Sequence, residues 1–180
     1  KKQNLQGDFV ECGCCNGGAG AMTTALLRDR RYWLFDSFEG LPKPTEEDIK
    51  NDDSTPAKIV WKKGWDKGDE EKVKELYIKK LGFPEPQLII TKGLFQNTVP
   101  KIKKQIQRIA LLHLDGDWYD STKVCIENLY DKVVPGGYIV VDDYGHWKGC
   151  KKAIDEFLQK RKLTPTLHRI DYTRIYFKKL

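Results

Sequence analysis

"DFVECGCCNGGAGAMTTALLRDRRYWLFD", residues 8–36, is the stretch on which the fold turns. Residues 8–12 are short and mostly apolar, as a buried strand is. They run into the glycine-rich turn GCCNGGAG and then AMTTALLRDR (21–30), which is apolar at helical spacing and rich in good helix formers. RYWLFD (31–36) is a second apolar and aromatic run, ending on Asp36. A strand, a tight turn, a helix and a second strand make the unit from which parallel sheets are wound.

Outward from that unit the alternation continues. Residues 37–69 form a long polar excursion rich in Pro, Gly and Asp. A loop of that length in a compact domain is usually functional or mobile. EEKVKELYIKKLG (70–82) has the pattern of an amphipathic helix stopped at Gly82. PQLIITKG (86–93) reads as a third strand, and NTVPKIKKQ (97–105) as a short helix capped by Asn97 or Thr98. RIALLHLD (108–115) is a fourth strand, followed by the helix YDSTKVCIENLYDKV (119–133). PGGYIVVDDY (135–144) is a fifth strand and KGCKKAIDEFLQKRK (148–162) the next helix. TLHRID (166–171) and RIYFKK (174–179) read as a closing pair joined by a tight turn. Several strands are apolar on both faces. The expectation is an α/β fold with a doubly wound, mostly parallel seven-stranded sheet and a C-terminal antiparallel strand pair.

The 180 residues fit one domain, 1–180, and the start without Met suggests a part excised from a longer chain. With 39% hydrophobic and 32% charged residues the composition is that of an ordinary soluble protein. No stretch has the length of a membrane span and no signal peptide is visible, so a cytoplasmic location is expected. The net charge of +6 comes from lysines that interleave with apolar helix positions or flank the last strand. That is a solvated surface rather than a nucleic-acid footprint, and no nucleic-acid partner is expected. Five cysteines, three of them at 12, 14 and 15, lack the partners of a zinc site and suit reduced, buried thiols.

The unusual residues fall where an open parallel sheet binds ligands, at the carboxyl ends of its strands. Gly13, Gly17 and Gly18 allow a tight turn and close approach of a ligand to the backbone. The spacing is not G-x-G-x-x-G, which makes a dinucleotide less suitable than another nucleoside-bearing cofactor. Asp36, ending strand two, is placed to accept hydrogen bonds from ribose hydroxyls. Glu11, ending strand one, could accept from an ammonium group, which tilts the reading to S-adenosylmethionine. At the other strand ends stand four carboxylates, Asp115 and Asp117, then Asp142 and Asp143. Residues two apart on a strand point the same way, and a neighbouring strand lies about 5 Å off. Such a cluster needs a cation or a shared proton. Hard oxygen ligands on one side suit magnesium.

Four motifs together resemble the macrocin O-methyltransferase family: E-x-G-x-x-x-G-G (Glu11 to Gly18), WLFDSFEGLP (33–42), LDGDWYDST (114–122) and PGGYIVVDDYGHW (135–147). These are metal-dependent sugar O-methyltransferases using S-adenosylmethionine. The resemblance spans nearly the whole chain and implies the class I, Rossmann-like methyltransferase fold. It implies cofactor contacts at Glu11, Gly13, Asn16, Gly17, Asp36 and Ser37. Gly93 and Phe95, in a segment that resembles an adenine-pocket wall (92–100), join them. It matches Asp115, Asp142 and Asp143 to magnesium ligands and Asp117 to a general base. Gln96-Asn97, where an acid is usual, and CCN (14–16) depart from the pattern. Trp118, Tyr119, Tyr144 and His146 follow the acids and are candidates to touch the acceptor. The implied acceptor is a sugar, with a 6-deoxyhexose such as rhamnose favoured, on a small glycoside or glycan. An N-terminal helical segment that helps cover the substrate in the family is not in the sequence, so an incomplete acceptor pocket is expected, and other domains of a longer glycan-building protein are possible partners.

Other readings of the acids are a D-x-D phosphatase, a D-x-D glycosyltransferase, or a non-catalytic binding module on the same fold. The first wants a small Thr or Val where Trp118 stands, and neither enzyme accounts for the glycine turn with Asp36. Against the module stands the cost of clustering four acids without use.

Overall fold

The computed structural model describes residues 5–180. The first unit forms as its pattern dictates, with β1 (Asp8–Cys12), α1 (Gly18–Leu27) and β2 (Tyr32–Asp36). The excursion contains one short helix, α2 (Ala57–Val60), before α3 (Glu70–Lys74), which continues as a π-helical turn, Glu75–Lys80. Asp69 caps α3, accepting from the Glu71 and Lys72 backbone N–H groups, and Gly82 leaves it at φ +57°. Then come β3 (Leu88–Lys92), α4 (Phe95–Ile102), β4 (Ile109–Leu114), α5 (Tyr119–Leu129), β5 (Val133–Val141), α6 (Lys148–Lys160), β6 (His168–Arg169) and β7 (Ile175–Lys178).

Several boundaries differ from expectation, among them α1, which begins at Gly18 inside the glycine turn rather than at Ala21, and β6, which is only two residues long. α4 begins at Phe95, behind Leu94 and with no side-chain cap, rather than at Asn97 or Thr98. The helix expected to reach Val133 ends at Leu129, and a 3₁₀ turn (Tyr130–Lys132) hands over to β5. Val134 precedes Pro135, and that position disfavours helical backbone. The same proline sits at an irregularity in the ladder, between the Ile109–Val133 and Leu111–Tyr138 pairs.

The sheet runs β3-β2-β1-β4-β5-β7-β6. The first five are parallel, and β7 returns antiparallel to β5 and to β6. Strand order reverses between β1 and β4, which opens a crevice beyond their carboxyl ends. Alternation along the buried strands divides the core between the two faces. Val10, Cys12, Trp33 and Phe35 pack with residues of α4, α5 and α6. Phe9, Tyr32 and Leu34 pack with Val73, Tyr77 and Phe83. All five cysteines are free, four of them buried. No helix among the described residues is long and apolar enough to cross a membrane.

The excursion is less of a loose loop than its composition suggests. Asp48, fully buried, accepts from Thr45 N and Oγ1 and from the N–H of Tyr119, the first residue of α5. Ile49 and Pro56 bridge each other, and Lys50 bridges Trp147. Trp61 Nε1 donates to the Leu41 carbonyl and Trp118 Nε1 to that of Pro42. These bonds hold the excursion against α5 and Trp147, and its residues Gly40, Leu41, Pro42 and Asp66 border the crevice.

Candidate active site

A cavity of about 330 Å³ fills the crevice, within the size range of small-molecule sites. Its floor is the glycine turn. Gly13 has φ +99°, and a Cβ there would lie 1.6 Å from the Asp115 carbonyl oxygen, so only glycine lets β1 and β4 meet at this point. The Gly13 N–H donates to Phe35 O at 2.8 Å, and Asp115 N donates to Cys12 O at 2.8 Å. Asp36 is fixed by two backbone donors at 2.7 Å, Cys15 N on Oδ2 and Phe38 N on Oδ1. Burial nevertheless pushes this carboxyl above its ordinary range. Asp36 and Ser37 line the cavity on one side, Leu94, Phe95 and Gln96 on another, and Gly40, Leu41, Pro42 and Asp66 from the excursion on a third.

The fourth side is acidic, formed by Asp115, Asp117, Asp142 and Asp143. Carboxylate oxygens of Asp115, Asp117 and Asp143 lie within 4.8 Å of one another, and a second group of that span joins Asp115, Asp142 and His113. Asp115 belongs to both. The expected ligand trio of Asp115, Asp142 and Asp143 is therefore divided, because consecutive residues leaving a strand point to opposite sides. Burial, then the neighbouring acids Asp142 and Asp117, raise Asp115 to about 8 against the pull of His113. Burial raises Asp117 to about 7, although Trp147 Nε1 donates to its Oδ1 at 3.2 Å. Asp143 is pushed well up, first by burial and then by Asp117 and Asp115. Its Oδ2 is buried with no hydrogen-bond partner. Asp142 differs. Burial would raise it, but bonds from His113 and Arg174 prevail and hold it below the usual carboxylate range.

Several expected site residues lie off the cavity. Glu11, 1% exposed, bonds through Oε1 to His113 Nδ1 at 2.9 Å, while its Oε2 is buried with no hydrogen-bond partner. Asn16 accepts from the N–H of Asp69, and Gly17 packs under Val73 and Tyr77. Gly93 anchors the turn after β3 by donating to Asp36 O. Trp118 is 2% exposed and packs edge-on against Trp65 and Trp147, a core position unsuited to stacking on a sugar. Tyr119 turns to α6, where its hydroxyl donates to Glu156. Tyr144 likewise donates to Asp155. His146 is half-buried on the outer surface, with Nδ1 3.3 Å from the Tyr172 hydroxyl.

A model of the Macrocin-O-methyltransferase (TylF) family matches residues 1–179. The chain belongs to the macrocin O-methyltransferase family. Demethyldecarbamoylnovobiocin O-methyltransferase of Streptomyces niveus is 33% identical over 181 residues, covering 98% of this chain and 67% of the relative. The 4'-O-methyltransferase of Streptomyces olivaceus that acts on 8-demethyl-8-(2,3-dimethoxy-alpha-L-rhamnosyl)-tetracenomycin-C is 29% identical, over 97% of this chain and 66% of its own length. Among solved structures, that of the O-methyltransferase NovP superposes with a TM-score of 0.83 at 33% identity, over 98% of this chain and 73% of that one. Calicheamicin methyltransferase CalS11, at 20% identity and a TM-score of 0.73 over 97% of this chain and 73% of its own, shares the fold. The chain is thus an O-methyltransferase with the α/β methyltransferase fold.

This member of the family surrounds its acids with residues that the sequence did not single out. His113 stands two residues before Asp115 on β4, and burial, which alone would lower it, is outweighed by Asp142 and Glu11, so it is held up to about 10. Arg174 reaches Asp142 from β7's leading turn, and Trp147 reaches Asp117 from the head of α6. A histidine inside an apolar strand is the available signal for the first. The other two depend on contacts made across the fold.

Proposed function

We propose that this chain transfers the methyl group of S-adenosylmethionine to a hydroxyl of a sugar on a glycoside or glycan, with a divalent cation such as magnesium at the four carboxylates. The observation that carries the cation is the orphaned, buried Oδ2 of Asp143 beside two further carboxylates. Three acids crowded in this way are stable when protonated or when they share a positive ion, and an all-oxygen donor set suits magnesium. Asp115, which belongs to both groups, would hold the ion with Asp143 from one and Asp142 from the other, leaving Asp117, the third acid of the crowded group, to act on the hydroxyl. When bound, it supplies Lewis acidity that makes a coordinated hydroxyl easier to deprotonate, and the sulfonium donor supplies the methyl group.

The chain's own residues do the remainder. The turn at Gly13 and Cys15 and the doubly anchored Asp36 bind the nucleoside portion of the donor, and Phe95 borders it. Asp117, held near neutrality, accepts the hydroxyl proton, which is where a general base works best. Trp147 orients that carboxylate by donating to it. Residues 40–42 with Asp66 close over the crevice and limit water. Holding two reactants in line contributes a further large share of the rate. A 6-deoxyhexose such as rhamnose is the favoured acceptor, supported by the rhamnosyl group in the name of the Streptomyces olivaceus relative.

The test is incubation with S-adenosylmethionine, magnesium and a panel of deoxysugar glycosides, read by mass. One added methyl group, abolished by a chelator and restored by magnesium, is the expected result. Undiminished transfer in chelator removes the cation from the proposal, and no transfer to any sugar removes the acceptor class.

A further inference from the structure

Asp142 leaves β5 opposite the start of β7, because Val141 pairs with Ile175 in the antiparallel ladder. Arg174 therefore faces it across the strands, and Nε of Arg174 donates to Asp142 Oδ1. Asp171 braces the arginine from behind, with Oδ2 3.0 Å from Nη1 and Oδ1 accepting from the Arg174 backbone N–H at 2.8 Å. The same Asp142 oxygen lies 3.7 Å from His113 Nε2. Among the described residues, Asp115, Asp117 and Asp143 have no such ion pair. The positive charge at this end of the sheet is concentrated on one acid of the four.

The two cations differ in freedom. His113 is enclosed, with its side chain 11% exposed and a carboxylate at each ring nitrogen. The Arg174 side chain is 48% exposed and can turn to solvent without burying its charge. A guanidinium keeps its charge at every working pH. A divalent ion coordinated by Asp142 must then share that carboxylate with a fixed positive neighbour, and like charges at such range repel.

We propose that Arg174 is a tethered cation that competes with the divalent ion for Asp142, so that the β5–β7 strand pair attenuates the metal affinity of the site. This rests on the cation reading given above. By reciprocity, an ion that binds must weaken the Arg174–Asp142 contact as much as that contact weakens the ion.

Calorimetric titration of magnesium into the wild-type chain, Arg174→Gln and Arg174→Lys measures this without turnover. Arg174→Gln should bind magnesium about fivefold or more tightly, the lower end of ordinary coupling between two sites, while Arg174→Lys, which keeps the charge, stays close to wild type. Equal or weaker binding by Arg174→Gln, with magnesium still bound by wild type, overturns the competition and leaves Arg174 as a clamp that positions Asp142. No binding by any of the three overturns it together with the cation reading. In the wild-type chain, where no variant need fold, the Nε–H resonance of Arg174 should lose its hydrogen-bonded shift as magnesium is added. A resonance that stays put at saturating magnesium overturns the proposal as well.

Discussion

Asp117 combines three properties that single residues seldom share: a left-handed backbone at φ +54°, a buried carboxyl raised to about 7, and an indole donor on one oxygen. The first aims the side chain back toward the cavity instead of along α5. Asp117→Asn should lower kcat by about 10²–10⁴-fold, the usual worth of a general base, while calorimetric magnesium affinity changes little. Loss of both together would make Asp117 a ligand. Trp147→Phe removes the hydrogen bond that favours the ionised form, so the acidic limb of the kcat–pH profile should move to higher pH. An unmoved limb contradicts the orienting role of Trp147. The D-x-D spacing makes Asp115 and Asp117 legible in the sequence, because period-two geometry is local. The sequence does not say that Glu11 bonds to His113, or that Trp118 is core, since each depends on a partner roughly a hundred or several tens of positions away.

At the scale of elements, the strands and the glycine turn are readable because apolar runs bounded by Gly and Asp allow few alternatives. Gly13→Ala brings a Cβ onto the Asp115 carbonyl, and it should abolish donor binding, measured by calorimetry, or prevent folding altogether. A variant that folds and binds normally would mean β1 and β4 do not meet as described. The excursion is the least legible part. Its polar composition hides Asp48, a buried carboxylate whose role is to cap α5 and tie Thr45 down. Asp48→Ala leaves those donors unpaired and should cost about 1–3 kcal/mol in denaturant unfolding. A smaller loss would show the excursion to be held by its tryptophans instead. The uncapped start of α4 is hidden for a related reason, since helix starts are read from capping side chains and Leu94 offers none.

For the whole molecule, the acids set a pH dependence whose sign is fixed. Asp115, at about 8, Asp117, at about 7, and Asp143 all bind protons more tightly folded than unfolded. The stability contributed by Asp115 and Asp117 is complete below their ordinary pKa of about 4 and is lost as pH rises through 7 to 8. The metal-free chain should therefore show a falling Tm from about pH 5 to 8, as Asp117 and then Asp115 ionise. His113, raised to about 10, completes the loss of its contribution only above that window. Magnesium competes with protons for the same oxygens, so the Tm gain it gives should grow across that window. A gain that is flat or shrinks with pH would place the ion elsewhere. Catalysis as proposed depends on one ion seated among the carboxylates beside the donor pocket. The most direct measurement is a calorimetric titration of magnesium into the chain saturated with S-adenosylmethionine, for wild type and Asp143→Asn. One ion per chain in wild type, with affinity lost in the variant, is the predicted result. Binding that is absent from wild type, or as tight in the variant, would contradict it.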